Sequence, residues 1–454
     1  MNERALRRTI AVVLLGGIMG ILDGSMVLVA VRTIAVDLDA QLGAVGWVAT
    51  AYLVAVTVTV PVGAWAVERY GGKRLWLAGL VVFFVGSVGS AFAPDLGTLI
   101  ALRAVQGVGA GILDPLMLTL LARAAGPERA GRVMGIMGIV GSAGPVAGPI
   151  VGGALLQVLD WRWLFLVNVP IVVAALVLAA RTLADDTPGP EVPVRRLDVV
   201  GLALLGPGVS AAVLGLSRVE AEGTVGAWPV LVPVGLAAAL LAGYAAHALR
   251  RSAPLVDLRL LARPGVTPSL LTAGTNGLAT FGALLVIPLA YQQTYGLSPA
   301  SAGLLLAPLG AASMVAMPVS GRLSDRVGSR PVALVGGAIA LVGAVVLATG
   351  AGSLPLVVLG GLLVGLGLGT VGAPAIGSVF RTVPPESTAQ ASALLYTVNQ
   401  LGAAFGIATA ALLASTAGLV AAFWLLAGGV VVGIAASTRL PGRSPAMVGT
   451  DRTG

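Results

Sequence analysis

Apolar runs long enough to cross a bilayer occupy most of this chain, and they leave few folds open to it. They fall near residues 9–31, 44–67, 75–93, 97–124, 131–156, 163–182, 198–218, 228–249, 267–294, 300–321, 331–351, 355–379, 388–415 and 418–437, fourteen in all. In hydrocarbon every backbone polar group must find its partner inside the protein, so runs of this length are read as helices. Of 454 residues, 57% are hydrophobic and 10% charged, with a mean hydropathy of +0.98; soluble chains carry about 25% charged residues. The reading is an all-α polytopic membrane protein with 14 transmembrane helices. The basic start and the apolar run behind it resemble a signal peptide, but no clear cleavage site precedes Asp23, and a retained first helix is expected.

Loop charge orients the spans. Of the 27 Lys and Arg residues, Arg103 lies in a span and only Arg32, Arg162 and Arg218 fall in one set of loops; all the others fall in the opposite set and the tails. Positive loops stay inside, so both termini are expected in the cytoplasm. The formal charge of +8 is spread through short loops, which argues against nucleic acid as a partner. With no Cys there are no disulfides and no thiolate metal sites. The glycine-rich stretches "GVGAGILDP" and "GLGLGTVGAP" lie inside apolar spans with no Gly-Lys-Ser/Thr behind them, so a phosphate cradle is not expected. No nucleophile–base pair or metal cluster is legible, and no enzyme activity, metal or cofactor is expected. The lone His247 beside Arg250 and Arg251 reads as a solvated or interfacial residue.

The chain repeats itself. "PVGAWAVERYGGKR" (61–74) returns as "PVSGRLSDRVGSRP" (318–331), with Pro61 over Pro318, Glu68 over Asp325, Arg69 over Arg326 and Gly71 over Gly328, each offset by 257. Gly107, Gly109 and Gly111 match Gly365, Gly367 and Gly369 at an offset of 258. The expected organisation is a six-helix half over 1–184, a linker and two extra central helices over 185–262, a second six-helix half over 263–438, and a cytoplasmic tail over 439–454. Two halves in one orientation are a known transporter plan, with the substrate site between them near the midplane.

These motifs carry a resemblance. The loop "AWAVERYGGKR" resembles the signature loop of the major facilitator superfamily, with Ala64 and Glu68 where the family usually has Gly and Asp. "LRAVQGVGAG" resembles its helix-four motif, "GSAGPVAGPIVGG" its helix-five antiporter motif, and "LDGSMVLVAV" its helix-one motif, with Leu28 and Arg32 where Asn and Pro are usual. "DWRWLFLVNVP" and "SPASAGLLLAPLG" are similar to stretches of the fourteen-span drug/proton antiporter branch. The resemblance covers nearly the whole chain. It implies two halves of the major facilitator fold in a bacterial cytoplasmic (inner) membrane, with the proton gradient as energy source.

Three ionisable residues lie well inside spans: Asp23, Arg103 and Asp114. Such charges are costly in lipid and are functional candidates by default. Arg103 and Asp114 are eleven residues apart, about three turns and about 16 Å of helix, so they share a face without pairing. By the resemblance, helices one and four line one cavity, and Asp23 and Arg103 are expected to meet at similar depth, directly or through water. Asp114 lies nearer the cytoplasm, where a carboxylate can exchange a proton for a cationic substrate. The second half has Gly361 and Gly372 at the positions of Arg103 and Asp114, which concentrates the chemistry in the first half. Structural alternatives stand beside each role: Arg103 bonding backbone carbonyls, Asp114 capping a helix break before Pro115, and Asp23 acting as a packing residue.

The repeated loop reads as a gate. Glu68, Arg69, Gly71 and Lys73, with Asp325, Arg326 and Gly328 in the second copy, place a carboxylate where it can bond a helix N-terminus or an arginine such as Arg132; a plain topology signal is the alternative. On helix five, Gly144, Gly148, Gly152 and Gly153 form a small-residue stripe with Pro145 and Pro149, read as a packed pivot or as ordinary glycine packing. Asn276, Phe281, Tyr291, Gln292, Tyr396, Asn399 and Gln400 are candidate cavity residues or packing residues. The expected partners are a small organic substrate, protons and the lipid bilayer, with the protein a monomer. The function read from all this is export of hydrophobic or cationic organic compounds in exchange for protons. Its rivals are a dedicated exporter of one natural product and, from another class, a non-transporting membrane sensor or lipid-handling protein.

Overall fold

The computed structural model describes residues 3–185, 197–222, 224–251 and 254–442. Among these the regular structure is all helix. The order is α1 (Glu3–Asp37), α2 (Leu42–Tyr70), α3 (Gly72–Ala91), α4 (Leu96–Ala125), α5 (Ala130–Val158), α6 (Trp163–Leu166), α7 (Asn168–Thr182), α8 (Val199–Glu222) and α9 (Trp228–Arg250). It continues with α10 (Val266–Tyr295), α11 (Pro299–Leu304), α12 (Ala307–Val327), α13 (Ser329–Thr349), α14 (Leu354–Thr382), α15 (Thr388–Thr416) and α16 (Leu419–Ser437). Thirteen of the described helical stretches are long and apolar enough to cross a membrane. The remaining expected span falls on α5, where only Ala130–Ile139 is described as an apolar run. Residues 186–196, at the linker that opens the expected 185–262 segment, lie outside the described residues.

Two expected single spans are broken near one end. Trp163–Leu166 is one short turn ahead of Asn168–Thr182, and Pro299–Leu304 precedes Ala307–Val327. Proline explains the second break: Pro299 opens α11 and Pro308 sits in the first turn of α12, both where a missing N–H costs nothing. Several other prolines do not stop a helix. Pro61, Pro115, Pro207, Pro288 and Pro374 all lie inside continuous helices, so Asp114 does not cap a break before Pro115.

The repeated loop is a repeated conformation. Gly71 closes α2 at φ 82 and ψ 156 and donates its N–H to the Val67 carbonyl; Gly328 closes α12 at φ 92 and ψ 161 and donates to Ser324. A Cβ is disfavoured at such positive φ, so both copies need glycine. Each turn restarts a helix at the next residue.

The chain forms two compact units, one of residues 1–124, 144–207 and 246–257, the other of 125–143, 208–245 and 258–454. The second has an apolar core built from α10, α12, α13, α14 and α16, with Ala283, Val286, Tyr291, Leu347, Val364 and Phe423 among its buried residues. Tyr291 is thus a core residue, not a cavity residue: it is fully buried and its hydroxyl donates to the Leu305 carbonyl at 3.4 Å.

Candidate transport site

Close helix packing builds the site in the first unit. On α4, Gly107 and Gly111 face α2, where an added Cβ would lie 2.9 Å from Ala55 Cβ and 2.8 Å from Thr59 Cβ. Gly109 faces α3, 2.8 Å from Phe83 Cα. These glycines let three backbones approach closely enough for α4 side chains to reach their neighbours.

Arg103 and Asp23 meet directly, and both side chains are fully buried. Arg103 Nη1 donates to Asp23 Oδ2 and to Gln106 Oε1, and Nε donates to the Val48 carbonyl at 3.2 Å. Asp23 Oδ1 accepts from Gln106 Nε2 at 3.0 Å and from Asn168 Nδ2 at 2.9 Å. Ser87 Oγ accepts from Gln106 at 2.7 Å. The guanidinium lies 4.3 Å from the Tyr52 ring centroid and 5.6 Å from that of Phe165, at the range where a cation is attracted to an aromatic face. Four helices, α1, α3, α4 and α7, thus supply the side chains of one buried polar cluster; α2 adds the Val48 carbonyl and the Tyr52 ring, and α6 the Phe165 ring. The expected Asp23–Arg103 contact is present. Gln106, Asn168, Ser87 and Tyr52 went unread in the sequence, although Gln106 and Asn168 lie inside quoted motifs.

Asp114 stands apart from this cluster. It is 8% exposed, and its Oδ1 lies 3.2 Å from where a Cβ would sit on Gly20 of α1. The Tyr52 hydroxyl donates to the Gly20 carbonyl at 2.9 Å.

The helix-five glycines divide. In the first unit, a Cβ on Gly148 would lie 2.9 Å from Ser25 Cβ, and one on Gly152 would lie 2.9 Å from Val29 Cγ2, both on α1. Gly144 meets Ile21 there too, and Ser25 Oγ reaches the Gly144 carbonyl at 3.3 Å. Gly153 is a correction: nothing lies within 4 Å of its Cβ position, because it sits about 100° around the helix from Gly152 and faces away from α1. The side chains of Pro145 and Pro149 lie outside the described residues.

In the second unit the loop carboxylate seats a helix. Asp325 accepts the backbone N–H groups of Gly131 at 2.9 Å and Arg132 at 2.7 Å, at the start of α5. Its ion-pair partner is Arg381 at 2.9 Å, whose Nη2 also donates to Ser329 Oγ. Arg132 therefore serves through its backbone, and Arg381 takes the role expected of an arginine side chain. The repeat offset of 258 sets Arg381 over Arg123, a match that could have found it. In the first unit, Lys73 bridges to Asp185 at 3.3 Å, and Arg69 lies 5.8 Å from the exposed ring of Tyr70.

The other expected cavity residues scatter. Asn276 lines a narrow cleft with Thr272, Thr275 and Ser437, and Asn399 donates to the Ala273 carbonyl at 3.2 Å. Phe281, Gln292, Tyr396 and Gln400 are half-buried. His247 is not simply solvated: its Nε2 lies 2.9 Å from Oδ1 of Asp198, a buried carboxylate that also accepts the N–H groups of Gly201 and Leu255. Where the first expected loop meets α6, Asp37 accepts from Trp161 Nε1 at 2.8 Å and from Arg162 at 3.0 Å. The Trp161 and Arg162 hydrogen bonds hold the Asp37 carboxyl below the usual carboxylate range. This is the physical content of the "DWRW" stretch. Among the described residues no cluster of His, Asp and Glu suits a metal.

An all-helical, internally repeated bundle with a buried charge cluster is the build of a membrane transporter. The chain belongs to the Major Facilitator Superfamily, whose sequence profile matches residues 13–406 and again 269–452. It is 37% identical over 408 residues to a multidrug resistance protein B homolog of Mycobacterium tuberculosis, an alignment covering 89% of this chain and 75% of the relative. It is 33% identical over 395 residues to the cephamycin export protein CmcT of Amycolatopsis lactamdurans, covering 86% and 81%. The fold matches that of the human organic anion transporter MFSD10 with a TM-score of 0.70 at 16% identity, covering 96% of this chain and 100% of the other.

Proposed function

We propose that this protein is a proton-coupled antiporter of a bacterial inner membrane that exports hydrophobic or cationic organic compounds, and that Asp114 is the carboxylate that carries the coupling proton. The observation behind the choice is the difference between the two buried acids. Both oxygens of Asp23 are occupied as acceptors by Arg103, Gln106 and Asn168. Three donors from two other helices already bond it, and Arg103 is its ion-pair partner, so Asp23 is read as the acid that holds helices together. Asp114 lies beside a glycine on α1 and outside that cluster. When ionised it can hold an organic cation; when protonated it releases it. Competition of the two for one carboxylate makes the transport an exchange. The names of the relatives, multidrug resistance and export proteins, support export as the direction. The repeat supports two six-helix halves over 1–184 and 263–438, and loop charge supports cytoplasmic termini.

The test uses purified protein in liposomes with an imposed pH gradient, following efflux of a fluorescent organic cation. Wild type is expected to transport, and Asp114→Asn to stay folded but lose gradient-driven transport. Normal transport by Asp114→Asn overturns the assignment. A second reading, a dedicated exporter of one natural product, draws on the cephamycin exporter among the relatives. It takes first place if wild type moves no member of a broad cation panel.

A further inference from the structure

The sequence singles out three intramembrane charges, on two helices, and one uncharged side chain lies in the field of all three. Tyr52 on α2 is 4% exposed. Its phenol interacts electrostatically with Asp23, Asp114 and Arg103. Its ring is the face on which the Arg103 guanidinium rests, 4.3 Å from the centroid. Its hydroxyl donates to the Gly20 carbonyl at 2.9 Å, one turn of α1 before Asp23. Gly20 is also where Asp114 comes close: a Cβ there would lie 3.2 Å from Asp114 Oδ1 and 3.5 Å from the Tyr52 hydroxyl. The absence of a side chain at position 20 therefore leaves one small gap that the phenol and the carboxylate both border.

We propose that Tyr52 is the positioning residue that links the protonation of Asp114 to the Asp23–Arg103 pair. The link rests on the reading of Asp114 as the proton carrier. An ionised carboxylate at the gap competes with the Gly20 carbonyl for the single phenolic hydrogen; a protonated one does not. The choice of acceptor tilts the ring, and the ring carries the guanidinium. Among the described residues the charged groups that act on the phenol are Asp23 of α1 and Arg103 and Asp114 of α4. Phe165 at Arg103 and Asn168 at Asp23, from α6 and α7, are neutral.

The test reads the carboxyl group itself, so it does not depend on transport. Infrared difference titration of detergent-purified protein follows the protonated-carboxyl band that Asp114→Asn removes. Tyr52→Phe keeps the ring under Arg103 and deletes the hydroxyl. Gly20→Ala puts a methyl group into the gap. Both variants are expected to move the midpoint of the Asp114 band by about half a pH unit or more, and to shift the pH profile of gradient-driven cation efflux with it. An unchanged midpoint in Tyr52→Phe, with thermal stability intact, overturns the proposal. So does a wild-type spectrum with no Asp114-dependent band between about pH 4 and pH 9. If the midpoint moves but wild type shows no gradient-driven transport, the Tyr52 link stands and the antiport reading falls. Should Tyr52→Phe fail to fold, Gly20→Ala alone decides the question in the same spectrum.

Discussion

Asp23 and Arg103, eighty residues apart in sequence, form an ion pair in which neither side chain is exposed. Removing one member leaves a buried charge without its counter-ion, which costs about 3–5 kcal/mol, whereas replacing both can be nearly neutral. Arg103→Met and Asp23→Leu are each expected to collapse the thermal stability of detergent-purified protein, and the double variant to recover much of it. A double variant as unstable as the two losses added together would show that the pair is not the unit of stability.

The helix-five glycines make a graded expectation. Gly148→Ala drives a methyl group against Ser25 and should destabilise by about 1–3 kcal/mol. Gly153→Ala meets nothing within 4 Å and should be neutral or stabilising by up to about 1 kcal/mol, since alanine favours helix. Thermal melts of the two single variants check both, and equal losses would contradict the packing described.

Asp325 holds two amides at the start of α5. Asp325→Ala removes acceptors that are charged and largely sheltered, a loss of about 1–3 kcal/mol. Hydrogen exchange at Gly131 and Arg132 is expected to accelerate by about tenfold or more, with little change along α13. Unchanged exchange at both amides would mean that the carboxylate does not seat the helix.

At the other loop the expectation concerns pH. Asp37 is held below the usual carboxylate range, first by the Trp161 hydrogen bond and then by that of Arg162. A group whose folded value is depressed contributes stability above its unfolded value, about 3.9, and loses it as pH falls through the folded value. The fluorescence difference between wild type and Asp37→Asn should therefore be flat from about pH 8 to about pH 4 and change only below that. A transition near neutral pH would contradict the assignment.

How much of this was legible depends on the cost of each residue in lipid. A charge in a span announces itself, and Asp23 and Arg103 could be paired from their similar depth together with the resemblance that puts helices one and four on one cavity. Gln106, Asn168 and Ser87 are neutral; in a chain rich in small and polar span residues they carry no comparable signal, and only the assembled helices reveal that Gln106 and Asn168 donate to Asp23 and that Ser87 accepts from Gln106. Tyr291 was open to either a cavity or a packing reading, and it fills the core of the second unit. The loop motif was legible twice over, in its repeat and in its glycine turn. Of the two partners expected for the loop carboxylate, the helix N-terminus is the one Asp325 finds at Gly131 and Arg132, while the arginine in its ion pair is Arg381 on α14.

The buried pair also sets an order of events during synthesis. α1 enters the membrane carrying Asp23, and the ribosome must add eighty residues before Arg103 exists to meet it. At about 5–20 residues per second, that is a wait of roughly 4–16 s. For that interval the newborn helix carries an acid with no counter-ion, so it must be sheltered by the insertion machinery or held as a neutral acid. The arrival of α4 supplies the counter-ion that the folded protein keeps.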